Sequence, residues 1–177
     1  KTTLVFGIVA RISAEKNHKF LIDILPEILK KEKDSKLLIV GGGPLRDELE
    51  FYAREKNLID NVIFAGRRPD LLNMLCAMDV FTLPSFYEGA PVSAVEAFAT
   101  GLPVVLSSRI TKDLQVLDNV AYVGIEKCDR ESWASTIINQ ASKGRNTEAI
   151  AIVNKYGFNI RDIAKLLADS YLEVVGR

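Results

Sequence analysis

One histidine, two cysteines and a balance of 23 basic against 23 acidic residues limit this 177-residue chain before any motif is read. His18 alone cannot build a multi-histidine metal site and gives no support to a histidine-dependent triad; it reads as exposed or packed near a helix start. Cys76 and Cys128 follow no metal-ligand or redox spacing. Cys76, within Leu72-Asn-Met-Leu-Cys-Ala-Met78, reads as helix core and Cys128 as a residue near a loop. Two free thiols suit a reducing cytoplasm. Zero formal charge and a pI near 6.8 do not resemble the basic surface of a general nucleic-acid binder, so no nucleic-acid partner is expected. No apolar run approaches the roughly 18 residues of a membrane-spanning helix. The amino end, Lys1-Thr-Thr-Leu-Val-Phe6, already reads as strand. No signal peptide is expected there, and so abrupt a start suits a piece of a longer protein.

What is present is globular: 48% of residues are hydrophobic and 26% charged, in a length that fits one domain with a sizeable core. Apolar runs at Leu4–Val9, Leu37–Val40, Val62–Ala65, Val80–Leu83, Val104–Leu106 and Ala121–Val123 read as short, nearly unbroken strands. Amphipathic segments between them predict helices at Glu15–Glu32, Pro44–Glu55, Asp70–Ala77, Pro91–Thr100, Asp129–Lys143 and from Asn159 to about Val175. Pro44 is placed at a first-turn position and Gly101 as the stop of the Pro91 helix. This alternation predicts an α/β class, a doubly wound Rossmann-like parallel sheet of about six strands with helices on both faces. Ligands of such sheets bind outside the carboxyl ends of the strands. There is no internal repeat, low-complexity stretch or linker.

Four loops at those ends carry chemistry-bearing residues. Arg11 and Lys16 follow the first strand, where an arginine fork and a mobile lysine suit a diphosphate; the alternative is two solvated cations beside a helix cap at Ser13. Gly41-Gly-Gly43-Pro44 follows the second strand, as a backbone that lets a ligand approach closely or simply as a turn. It lacks the third glycine of a dinucleotide fingerprint, since Arg46 stands there, which counts against NAD. Arg67 and Arg68 follow the third strand, lining a base pocket or merely exposed. Glu88 and Glu96, in Pro84-Ser-Phe-Tyr-Glu-Gly-Ala-Pro-Val-Ser-Ala-Val-Glu-Ala97, flank the start of a helix. At about 1.5 Å rise per residue they stand roughly 10 Å apart, with the helix's first amides between them.

These pieces, with Val62-Ile-Phe-Ala-Gly66 and Gly101-Leu-Pro-Val-Val105, occur in the order and spacing of the retaining glycosyltransferases of family four. The chain resembles the carboxyl-terminal, donor-binding domain of that two-domain GT-B fold along nearly all its length. Glu-Gly-Ala-Pro, with Ile110-Thr-Lys-Asp113 downstream, is most similar to members that build capsular or exopolysaccharide. The resemblance implies that residues 1–177 form a single nucleotide-sugar-binding domain whose amino-terminal acceptor domain is absent. It implies that Arg11 and Lys16 neutralise the donor diphosphate, that Glu88 meets the sugar near its reacting carbon, and that Glu96 holds the ribose. Gly41, Gly42, Arg67 and Gly89 would join them in donor binding, as would the backbone around Val92 and Ser93. No metal or other cofactor is implied.

UDP is the expected nucleotide by family frequency. A glycan or lipid-linked acceptor would be held by the absent domain, so this piece alone should be inactive. The full protein is expected in the cytoplasm, with peripheral association at the inner face of the plasma membrane as a further expectation. The chain departs from the family at Ala10, Asn17 and Pro91, each standing where glycine is usual. Two other functions stay open, a sugar-nucleotide epimerase and a non-catalytic interaction module. The terminal helix carries an apolar stripe, Ile160, Ile163, Ala164, Leu167, Tyr171 and Val174, expected to be buried by folding back or by a second copy.

Overall fold

The computed structural model describes residues 3–116 and 119–176. Its strands are β1 (Val5–Val9), β2 (Lys36–Val40), β3 (Val62–Gly66), β4 (Val80–Leu83), β5 (Val104–Ser107) and β6 (Val120–Val123), each within two residues of the expected run. They form one six-stranded sheet in the order β3-β2-β1-β4-β5-β6, every pair parallel. All four residues of β4 and of β5 are buried, as a parallel strand covered on both faces requires. This is the doubly wound order, in which the chain runs outward from β1 in one direction and from β4 in the other.

Among the described residues there are seven α-helices: α1 (His18–Leu29), α2 (Arg46–Glu55), α3 (Leu71–Ala77), α4 (Val92–Ala99), α5 (Arg130–Lys143), α6 (Ala149–Lys155) and α7 (Ile160–Val174). Right-handed crossovers running opposite ways put α1 and α4 on opposite faces. On one face α1 packs against α5; on the other α4 packs against α6. Phe20, Leu21, Ile24, Leu25 and Ile28 of α1 are all buried, one apolar stripe along the helix. Phe20 meets Trp133 of α5 edge-on at 5.6 Å between ring centroids, and the Trp133 indole donates to the Gly124 carbonyl. Asp23 of α1 accepts from Tyr52 of α2 at 2.6 Å and from Arg130 of α5 at 2.5 Å, so one carboxylate ties three helices.

Several expectations are corrected. The first helix starts at His18, because Asn17 sits in the left-handed region (φ 54°) after a separate 3-10 turn at Ala14–Lys16. Asparagine is among the few side chains that tolerate this conformation, which accounts for its standing where glycine is usual. Pro44 lies in a turn ahead of α2 rather than in its first turn. Cys76 is exposed, not core: α3 buries only Leu75, and the next residue along turns outward. Helix α6 was not expected; its Ala149-Ile-Ala-Ile-Val153 run is too short to show a period. Helix α7 forms as expected, with the Asn159 side chain capping the Arg161 amide, but none of its residues is buried. Its apolar stripe faces solvent instead of folding back.

The glycine run has a steric reason. A side chain on Gly41 would come within 2.0 Å of the Ala10 carbonyl oxygen, and one on Gly43 within 2.1 Å of the Ile12 carbonyl oxygen. The β2 loop therefore lies flat against the β1 loop, with the Ile12 amide donating to the Gly42 carbonyl at 3.0 Å. Gly43→Ala is expected to lower unfolding stability by about 1–3 kcal/mol, the range for forcing a methyl into packed structure. Denaturant titration checks this; a loss below 0.5 kcal/mol, the order of an ordinary surface substitution, would mean the loops are not locked together.

Candidate functional site

At the switch point, β1 and β4 are neighbours, and the loops leaving their carboxyl ends diverge to opposite faces. Three contacts join the two loops across the crevice. The Lys16 ammonium meets Glu88 Oε1 at 2.5 Å, the Asn17 side-chain amide donates to the Pro84 carbonyl at 3.2 Å, and the Phe86 amide donates to the Glu15 carbonyl at 2.9 Å. Ser85, itself buried, donates to the same Glu88 oxygen at 2.7 Å. Two residues 72 apart in sequence are thus one partly shielded ion pair, with side chains 23% and 10% exposed. The left-handed turn at Asn17 makes this possible, by turning the chain from the Lys16 loop into α1.

Three cavities that share lining residues from one to the next form a trench. Its first section, a cavity of 350 Å³, is lined by Ala10, Arg11, Gly41, Gly42, Arg67, Arg68 and Leu71, among others. Arg11 and Arg67 are exposed, and the Arg67 side chain lies along Gly42. Arg68 is engaged, forking onto Asp70 with two 2.8 Å hydrogen bonds; the Arg68 guanidinium holds the Asp70 carboxyl below its usual range. Leu71 is shared with a second section of 390 Å³, walled by α3 and α4 and including Glu96. Glu96 is shared in turn with a third section of 580 Å³, which takes in Gly89, Val92 and Val95 and is otherwise mainly apolar.

The predicted residues therefore gather in three groups: Lys16 with Glu88; Arg11 with Gly41, Gly42 and Arg67; and Glu96 with Gly89 and Val92. The cavities described above include Glu96 but not Glu88: Glu88 turns toward Lys16, while Glu96 is exposed on the second turn of α4. At the start of α4 the Val92 amide is already spent on the Ala90 carbonyl at 2.9 Å. The Ser93 amide, also in the first turn, has no carbonyl of the helix behind it and is the better placed of the two to receive an anion.

His18 is a residue whose position composition could not settle. It is 3% exposed, and neither ring nitrogen has a hydrogen-bond partner among the described residues. It lines a 200 Å³ cavity with Ile12, Ser13 and Asn17, directly behind the Lys16 loop. Burial lowers its pKa from 6.5 to about 4, with the Lys16 charge acting in the same direction, so the ring is neutral near pH 7. Among the described residues no three of His, Cys, Asp or Glu stand close enough together to hold a metal ion, and no helix is long and apolar enough to cross a membrane.

Comparison with known proteins fixes the class. The family model "Glycosyl transferases group 1" matches residues 1–156, and the chain belongs to that family. It is 37% identical over 143 residues to EpsF of Bacillus subtilis (strain 168), which carries a provisional glycosyltransferase name; the match covers 80% of this chain and 37% of EpsF. It is 31% identical over 181 residues to the Escherichia coli UDP-Gal:alpha-D-GlcNAc-diphosphoundecaprenol alpha-1,3-galactosyltransferase, covering 99% of this chain and 47% of that enzyme. The chain thus spans less than half the length of these relatives. The fold matches Anabaena Alr3699/HepE, solved in complex with UDP and glucose, with a TM-score of 0.81 at 22% identity, over 96% of this chain and 48% of that one. These matches agree with the resemblance at the level of family and fold.

The His18 environment gives a pH prediction. The folded pKa lies below the ordinary one, so the stability gained from keeping the ring neutral is complete above pH 6.5 and is lost as pH falls from 6.5 to about 4. Across that window His18→Gln is expected to lose about 3 kcal/mol less than the parent chain, at about 1.4 kcal/mol per pKa unit. Denaturant melts at pH 7, 5.5 and 4 check it; parallel pH profiles for the two chains would mean that His18 titrates as an exposed histidine.

Proposed function

We propose that this chain is the carboxyl-terminal, donor-binding half of a two-domain retaining glycosyltransferase, which takes a sugar from a nucleoside diphosphate, UDP by preference, to a glycan or lipid-linked acceptor in polysaccharide assembly. The observation that carries the reading is the Lys16–Glu88 pair, a cation and a carboxylate from opposite sides of the switch point, on the same β1 loop whose Arg11 edges a trench with Arg67. The Escherichia coli relative supports the donor and acceptor classes by its name, and the UDP complex of the structural neighbour supports the nucleotide.

In this reading the donor's diphosphate lies beside Arg11 and Lys16 near the first turn of α4, with its ribose toward Glu96 and its sugar toward Glu88. Transfer breaks the bond between the sugar's anomeric carbon and the terminal phosphate oxygen as the acceptor's hydroxyl oxygen bonds to that carbon; the bonding electrons leave with the diphosphate, which takes up the hydroxyl proton. Arg11, Lys16 and the Ser93 amide stabilise the charge that develops there, a role worth more in a water-excluded cleft than in bulk solvent. Glu88, released from Lys16 as the ammonium turns to phosphate, faces the positive charge growing at the anomeric carbon and orients the sugar. Gly41 and Gly42 bring backbone close to the nucleotide, and Arg67 borders the base. We propose no metal in this scheme, because the cations already supply the charge the leaving group needs. Catalysis also requires the acceptor to be positioned, so this piece is proposed to bind donor without transferring efficiently. A soluble cytoplasmic enzyme, with the full protein resting on the inner membrane surface where its acceptor is lipid-linked, fits the same scheme.

Titrating the chain with UDP, GDP, ADP and NAD tests this by heat or by chemical shift. Saturable binding of one nucleoside diphosphate is expected at about 0.05–1 mM, equivalent to about 4–6 kcal/mol. Arg11→Ala/Lys16→Ala removes two charge-assisted contacts of about 1.5–3 kcal/mol each and should push binding beyond detection. Nucleotide affinity unchanged in the double variant would put the diphosphate elsewhere and sink the proposal.

A further inference from the structure

Arg145, in the turn between α5 and α6, does a job that no sequence motif marks. Its Nη1 donates to the carbonyl and hydroxyl of Thr100 at 3.0 and 3.3 Å, just past the end of α4. Its Nη2 faces the carbonyls of Leu75, Cys76 and Met78 at 3.0, 3.1 and 2.9 Å, at the end of α3. One guanidinium therefore satisfies the closing carbonyls of two helices at once, where a cation also meets the negative ends of both helix dipoles. The turn is seated there by the Asn146 amide, which donates to the Gly101 carbonyl at 2.8 Å. Gly101 accepts this close approach because it has no side chain: a Cβ there would stand 2.5 Å from the Asn146 oxygen.

The two anchored points lie one turn from the residues that wall the trench. Thr100 is the last turn after Glu96, whose carbonyl accepts the Thr100 amide at 3.3 Å, and Leu75 is one turn after Leu71. Leu71, Leu75, Glu96 and Thr100 all line the same 390 Å³ section between α3 and α4. We propose that Arg145 is a positioning residue of the donor site: by clamping the ends of α3 and α4 together it sets the width of this section and the reach of Glu96 into it. The proposal rests on the donor-site reading above and adds a residue that touches no ligand. Only a planar fork can serve both helices, because a lysine ammonium is a single point that reaches one helix end at a time.

The test is UDP, GDP and ADP titration of the parent chain, Arg145→Ala, Arg145→Lys and Arg130→Ala, each followed by a thermal melt. Arg130 pairs with Asp23 on the face of the sheet opposite α4 and serves as a control for lost stability alone. Arg145→Ala is expected to weaken nucleotide binding by about tenfold or more, a factor equivalent to 1.4 kcal/mol, while Arg130→Ala lowers the melting temperature and leaves affinity alone. Arg145→Lys should melt closer to the parent yet still bind about three- to tenfold more weakly, and it carries the test if the alanine variant does not fold. Parent-like affinity in a folded Arg145 variant overturns the proposal and leaves the donor site standing. Equal weakening by Arg130→Ala also overturns it, since the effect would then be general destabilisation. Failure of the parent to bind any nucleotide removes the donor-site reading and this inference with it.

Discussion

Strands β1 and β4 must hydrogen-bond side by side while the chain leaving each turns to a different face of the sheet. Neither loop can cover the gap between them, so a crevice at their carboxyl ends is a consequence of the winding and needs no special sequence to create it. The sequence governs what lines the crevice. Lys16 comes from one side and Glu88 from the other, and their contact bridges the crevice. Everything proposed about function depends on these two loops being held at a fixed separation.

That separation is maintained by backbone as much as by charge. The Asn17–Pro84 and Phe86–Glu15 hydrogen bonds join the loops directly. Behind them the glycine run lets the β2 loop press against Ala10 and Ile12, which stiffens the segment carrying Arg11. Buried His18 anchors the other side of the same loop, beneath Lys16. The site thus follows a common arrangement in which mobile cations sit on short loops pinned by packed, uncharged neighbours.

The six strands were legible because a doubly covered parallel strand leaves an unbroken apolar run. Helices with a wide buried stripe were legible for the same kind of reason, as in Phe20, Leu21, Ile24, Leu25 and Ile28. Where the reading failed, the deciding physics was tertiary. The break at Asn17 goes with a side-chain contact across the crevice to the Pro84 carbonyl, a partner 67 residues away in sequence. The seven residues of α6 are too few to show a period, and Cys76 is exposed because α3 offers only one residue to the core. Residues such as Arg11, Lys16, Glu88 and Glu96 could be nominated from type and spacing. Their grouping could not, because the pairing of Lys16 with Glu88 is set by the order of strands in the sheet. Arg145 was beyond reach altogether, since nothing in Lys143-Gly-Arg-Asn146 signals that two helix ends lie within a guanidinium's span.

The state of the Lys16–Glu88 pair bears on how such a site could work. A fully buried ion pair would be hard to separate, because removing one partner strands the other at a cost of about 3–5 kcal/mol. A fully exposed one would contribute about 0–1 kcal/mol and hold nothing in place. At 23% and 10% exposure this pair lies between those limits, and Ser85 remains as a hydrogen-bond donor to Glu88 whichever way the lysine turns. An incoming polyanion can therefore take the ammonium without leaving the carboxylate unsatisfied. Until it does, the pair keeps the two charged groups from collapsing onto other partners. In the proposed donor site the ion pair is a stand-in that each half of the ligand would replace, the phosphate for Glu88 and the sugar for Lys16.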